Sequence, residues 1–285
     1  MKDISFGTVA AVFLVVSAAP AGAVPVSGDP VLYWNELMLG PSYNPGQTRP
    51  AALLNIALHD AVNATVGRPN KAFLGQLATA GGDTRAAAAV AARDVLVTLY
   101  PARTAAFDAA LAGQLALIPN GAAKTNGMAT GATIAAATIA NRANDGTFAV
   151  VNYTASGLPG RWAPTPPGFG PPVGPQLATV TPYIISSADQ FGAPPPLMLN
   201  TAAYASAFNE VREIGSALSL TRTADQSLAA RYWESGTGPG PWIRAAIDLS
   251  ESRGLSSIES AQILARLSTT LGDVQTATWD SKVFL

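Results

Sequence analysis

The sequence predicts an all-α fold, a helical bundle with a long, ordered, proline-rich strap between two groups of helices. Three observations predict it. Helix start and stop signals recur on both sides of a central segment. Alanine dominates while charged residues are only 12% of the chain, about half the usual share, which favours helices packed closely through small side chains. Between residues 147 and 200 lie 11 of the 22 prolines, and proline fixes φ and removes a donor, so no long helix survives there.

The first group of helices is punctuated in order. Residues 48–66 carry Leu53, Ile56, Ala57 and Val62 near helical spacing. Asp83 is placed to cap a helix over 84–100, and Pro101 suits the first turn of the next, over 101–118. A helix over 120–144 follows, with Gly146 where a C-terminal glycine cap belongs. The strap carries Tyr153, Trp162, Phe169, Tyr183 and Phe191. Disordered segments are poor in aromatics, so these rings predict a strap packed on the helices.

After the strap, Asn200 is expected to cap a helix over 201–218. Thr223 and Gln226 have capping-box spacing for a helix through Trp233, as do Ser256 and Glu259 further on. A helix over 242–253 is closed by Gly254. Ile258, Ala261, Leu264, Leu267, Leu271 and Val274 then mark one face of a long final helix. Eight or nine helices result, with no convincing strand and no internal repeat.

Residues 1–23 read as a signal peptide: Lys2, an apolar run over 6–19, then Pro20-Ala21-Gly22-Ala23. The run is shorter than the roughly 20 residues of a permanent span, so the expectation is a secreted or periplasmic protein with mature residues 24–285 and no permanent membrane span. The chain has no cysteine, so stability must come from burial. A net charge of −1 without a basic block excludes nucleic acid as a natural partner.

His59 is the only histidine. Without a second histidine or any cysteine it makes no zinc-type site, and inside an apolar helix it reads as a structural, hydrogen-bonded histidine. Gly127 and Gly131 form a GxxxG that predicts a tight helix crossing. Asp145-Gly146 lacks the other acidic ligands of a calcium loop, and no metal site is predicted. Arg93, Asp94, Arg142, Glu210, Arg212, Asp225, Arg231 and Asp273 stand among apolar or small residues, and pairing between helices is expected. Asn63-Ala64-Thr65 and Asn152-Tyr153-Thr154 are glycosylation sequons by pattern only. The C-terminal run ends on three apolar residues, Val283-Phe284-Leu285. This predicts an uncovered face open to self-association or to a complementary fragment.

A succession of motifs is more telling than any one of them. His59-Asp60-Ala61, Arg142-Ala143-Asn144-Asp145-Gly146 and Gly160-Arg161-Trp162-Ala163-Pro164-Thr165-Pro166-Pro167 come first. Asn209-Glu210-Val211, Arg222-Thr223-Ala224-Asp225-Gln226 and Trp279-Asp280-Ser281-Lys282 follow. In this order they resemble the N-terminal half of bacterial vanadium-dependent haloperoxidases, relatives of type 2 phosphatidic acid phosphatases. The resemblance implies two helical bundles, with a vanadate or phosphate site built mainly by the second. In that family the site opens with a Lys-x6-Arg-Pro motif and continues with Pro-Ser-Gly-His, an arginine and a histidine. Lys282 matches the opening lysine, while His59 matches neither family histidine.

The resemblance therefore implies peroxide-dependent halide oxidation, with vanadate as cofactor and hydrogen peroxide and halide as partners. It also implies a chain truncated before most of the anion site. No catalytic set is complete, so the polypeptide alone is expected to be inactive and to bind no vanadate, with Lys282 a solvated cation. Oxyanion binding needs several convergent donors, and one lysine does not supply them. Two alternatives stay open: an acid phosphatase-like member of the same superfamily, and a non-catalytic exported helical protein that binds a partner.

Overall fold

The structure, a computed structural model, describes residues 28–40, 48–158, 161–235 and 238–284. The leader-like residues 1–23, Gly160 and Leu285, and the side chains of Val283 and Phe284, lie outside them. The described residues form nine α-helices and no strand, as the all-α reading requires. They are α1 (Pro30–Leu39), α2 (Thr48–Thr65), α3 (Thr84–Leu99), α4 (Thr104–Ala116), α5 (Ala122–Asn141), α6 (Ala202–Ile214), α7 (Ala224–Ser235), α8 (Gly240–Ser252) and α9 (Ser257–Phe284). Among them no helix is long and apolar enough to cross a membrane.

Helix α2 is the axis of the bundle, buried on every side from Ala51 to Asn63. Helices α3, α5, α9 and α1 cover it, and its buried polar side chains, such as Asn55 and Asp60, find partners within the protein. One core joins Val31, Trp34 and Met38 of α1 to Leu54 and Leu58 of α2, Phe107 of α4, Ile243 and Ile247 of α8, and Leu264 of α9. Burying a side chain such as Phe107 stabilises by roughly 1.5–3 kcal/mol. A second, smaller core joins α2, α3 and α5 through Leu53, Ala87, Ala91, Val95 and Ile134.

The alanine-rich face of α3 explains how close α5 comes. A Cβ on Gly127 would lie 2.4 Å from the Asp83 carbonyl oxygen, and one on Gly131 would lie 2.3 Å from that of Ala87. The GxxxG is thus a helix-crossing notch in a bundle. Between α1 and α2 the contact is polar: Asn35 and Asn55 exchange side-chain amide hydrogen bonds of 2.8 and 2.9 Å, and Asn55 also donates to Ser268 Oγ. These groups are fully buried, so each needs such a partner.

The caps follow local chemistry with two corrections. Asp83 accepts from the N–H groups of Arg85 and Ala86 as expected. Thr223 and Gln226 form a reciprocal capping box, and Ser256 donates its N–H to Glu259. Gly254 takes a left-handed φ of 60° after α8. The cap of α6, however, is Thr201, whose hydroxyl accepts from the Tyr204 N–H, and not Asn200. Helix α5 ends at Asn141, so Gly146 (φ 90°) belongs to a following turn that passes close to the Thr179 carbonyl.

Helix α1 was invisible to apolar periodicity, although it buries Trp34 completely. Its start is written in Asp29-Pro30: the Asp29 carboxylate accepts from the Val31 and Leu32 N–H groups, and proline fills the first turn. Arg103 closes its far end by donating to the Leu37 carbonyl at 2.9 Å while stacking on Phe107. Arg222 does the same for α6, donating to the Ile214 carbonyl at 2.9 Å. Among the described side chains, helices α6 and α7 present no buried residue and leave Phe208, Val211 and Trp233 half exposed or more.

Candidate functional site

The long final helix α9 carries two different faces. Toward the core, Ser260, Leu264, Ser268, Gly272 and Thr276 recur every four residues, joined by Ala261, Thr269 and Asp273. The expected apolar series holds only in its first half: Ala261 and Leu264 are buried, whereas Val274 is 54% exposed. Beyond Leu267 small and polar residues replace it, where this face meets the strap and the polar side chains Asn55 and Thr48 of α2.

Asp273 organises that contact. Its carboxylate accepts the backbone N–H groups of Tyr183, Ile184 and Ile185 at 2.6, 2.8 and 3.0 Å. The sequence expectation of a cation partner for Asp273 is corrected: three peptide dipoles satisfy the buried charge instead. The Tyr183 ring lies over Gly272, where a Cβ would come within 2.6 Å of it. The Arg142 guanidinium stacks on the ring, 4.1 Å from its centroid, and donates to the Thr181 and Pro182 carbonyls. Burial pushes the Tyr183 hydroxyl up to about 12, and it has no hydrogen-bond partner.

Arg142 also bonds Asp145, and so does Arg49 of α2, at 2.7 Å to the same oxygen. Burial raises the Asp145 pKa, but the Arg49 bond and charge and the Thr147 N–H outweigh it, leaving a carboxyl below the usual range. Both arginines are therefore committed to structure. Asp60 works likewise on a shorter loop, accepting the Phe73 and Leu74 N–H groups and facing His59 Nδ1 at 2.8 Å. His59 is a buried structural side chain, as expected.

The remaining charges divide by place. Arg93 pairs with Asp94 and with Asp108 of α4, and Arg212 with Glu213 on the surface. Glu210, Asp225 and Arg231 are exposed. Asn63 is buried and bonded to Asn70, so its sequon is inaccessible. Of the strap aromatics, Tyr183 packs on the helices and Tyr153 packs edge-on against Trp162, while Phe169 and Phe191 are 63% and 73% exposed. The packing expected of all five is thus a property of residues 181–185 above all.

Lys282 lies on the last turns of α9, its ammonium 5.2 Å from the Trp279 ring centroid. Trp279 is itself tied to the strap by its indole N–H, which donates to the Val173 carbonyl at 3.0 Å. Asp273 and Lys282 are nine residues apart on α9, roughly 13–14 Å along the axis. Lys282 is exposed and is a point cation with hydroxyls of Thr278 and Ser281 on neighbouring turns. Vanadate needs several convergent cationic and N–H donors. Lys282 can contribute one of them and does not fit as a complete cradle. No group of three or more metal-ligating side chains occurs among the described residues.

Comparison with solved structures gives this architecture a precedent. A crystal structure described as the first bacterial vanadium-dependent iodoperoxidase superimposes with a TM-score of 0.70, covering 89% of this chain and 68% of that one. The fold is haloperoxidase-like. Sequence identity over the match is 21%, so the haloperoxidase likeness is one of architecture. No family model and no curated protein matches the chain.

Proposed function

We propose that this chain belongs to the lineage that oxidises halide with hydrogen peroxide at vanadate, and that Lys282 is its contribution to the anion site. The observation that carries the reading is the haloperoxidase-like fold over 89% of the chain. The Trp279-Asp280-Ser281-Lys282 motif supports it on the last helix. When bound, vanadate supplies an electrophilic centre that activates peroxide. The part played by these residues is electrostatic. Trp279, fixed to Val173, holds the ammonium by a cation–π contact, so the charge stays on the outer face of α9. One point charge on an exposed turn binds an oxyanion weakly, so the 285 residues by themselves are inactive in this reading. The leader-like residues 1–23 support action outside the cytoplasm.

The test is titration of purified protein with orthovanadate, followed by vanadium-51 NMR, and an assay with peroxide and iodide or bromide. The expected result is weak, salt-sensitive line broadening lost in Lys282→Ala, with no halide oxidation above a vanadate-free control. Broadening unchanged in Lys282→Ala would remove the site assignment. Tight stoichiometric vanadate, or turnover, would refute the inactivity.

A further inference from the structure

Between the strap and the outer face of α9 lies a groove of about 500 Å³. Its two walls differ in chemistry. The strap wall is apolar, built by Ile184, Ile185 and Phe191, and Val274 and Ala277 continue that surface onto the helix. The helix edge carries three hydroxyls, Thr270, Thr278 and Ser281. On the core side of the same helix, Thr269 and Thr276 spend their hydroxyls on carbonyls one turn back. Among the described residues, the groove-side hydroxyls bond to no protein group.

Two further observations make this a formed site. Ile184 is 67% exposed, yet its backbone and that of Ile185 are pinned by Asp273, so the apolar wall is held in place without the burial that normally holds one. Asp273 also reaches the groove, but three N–H groups occupy its oxygens and it is only 4% exposed. No open charge faces the space. A volume in the range of small-molecule sites, apolar walls and a few hydroxyls select a neutral ligand with a hydrophobic body and a hydrogen-bonding substituent.

We propose that the groove between strap residues 184–193 and the 270–281 face of α9 binds a small neutral aromatic alcohol of the phenol class, its ring against Ile184, Phe191 and Val274 and its hydroxyl toward Thr278 and Ser281. The assignment needs neither vanadate nor Lys282, and so stands or falls separately from halide oxidation.

The probe is thymol, titrated into the whole chain by calorimetry, with p-cymene as its counterpart lacking the hydroxyl. Saturable one-site binding of thymol is expected, with p-cymene about tenfold weaker, the scale of one lost hydrogen bond. Ala277→Trp, which fills the groove, and Val274→Trp, on its exposed rim, should each abolish binding; whichever folds by circular dichroism decides the matter. Lys282→Ala should bind thymol like the parent. Absence of saturable binding, equal binding of p-cymene, or full binding by a folded groove-filling variant would overturn the proposal.

Discussion

The backbone N–H of Tyr183 donates to Asp273 Oδ1 at 2.6 Å, joining positions 90 residues apart in the chain. With Ile184 and Ile185 bonded to the same carboxylate, this contact fixes the strap on the last helix. Replacing Asp273 with alanine strands three peptide donors, and hydrogen bonds to charged groups are among the stronger ones. A loss of about 3 kcal/mol is expected in urea denaturation. Asp273→Asn keeps one acceptor and should lose about half as much. In both variants, amide exchange at residues 183–185 should accelerate more than exchange in α2.

Asp145 should make the protein acid-sensitive. Its folded pKa lies below the ordinary value of 3.8, so its contribution is complete above the unfolded pKa. That contribution is lost as pH falls through the folded value. Melting temperature should therefore fall from pH 5 toward pH 3, and the fall should be shallower in Asp145→Asn. Arg49→Met removes the 2.7 Å partner and should lower stability at pH 7 by about 3 kcal/mol, the effect of breaking a buried pair.

Tyr183 titrates in the opposite direction. Its folded pKa of about 12 exceeds the ordinary 10.0, so stability is full below pH 10 and declines as pH rises toward 12. Tyr100, also raised by burial to about 12, adds to that decline. Tyr183→Phe should lessen it. Because the hydroxyl has no partner, that variant should also be neutral or more stable, by about 1 kcal/mol, in thermal melts at pH 7.

The α3–α5 crossing tolerates no added atom. Gly131→Ala would place Cβ 2.3 Å from the Ala87 carbonyl and 3.0 Å from the Ala91 nitrogen. Backbone must move, and a loss of about 2–3 kcal/mol is expected from chemical denaturation. Gly113→Ala, on a helix with nothing within 4 Å of its Cβ position, should instead gain a few tenths to about 1 kcal/mol.

What could be read in the sequence was local. Asp83, the Thr223/Gln226 box and the Gly127/Gly131 notch are each written within a few residues, and each stands where expected. Helix α1 was missed: Asp29-Pro30 is a start signal, but its apolar residues run almost without a polar face and show no period. Lys282 was singled out only through the order of the motifs that lead to it. Asp273 gave no sign of its role because its partners lie 88–90 residues away. Arg49 was likewise silent, since nothing near it in the sequence names Asp145 as its counter-ion. Val274 misled for a related reason: seven residues after Leu267, it lies nearly on the same line of the helix, but the strap covers a neighbouring line.

Asp60 and Asp273 solve one problem at two scales. Each sends a carboxylate from within a helix to gather the peptide N–H groups of a passing segment, so that segment is seated by its main chain. The side chains of Ile184 and Ile185 are thereby relieved of the duty of anchoring. Evolution can rewrite Ile184 and Ile185, and with them the character of the wall they form, while the path of the polypeptide stays where it is.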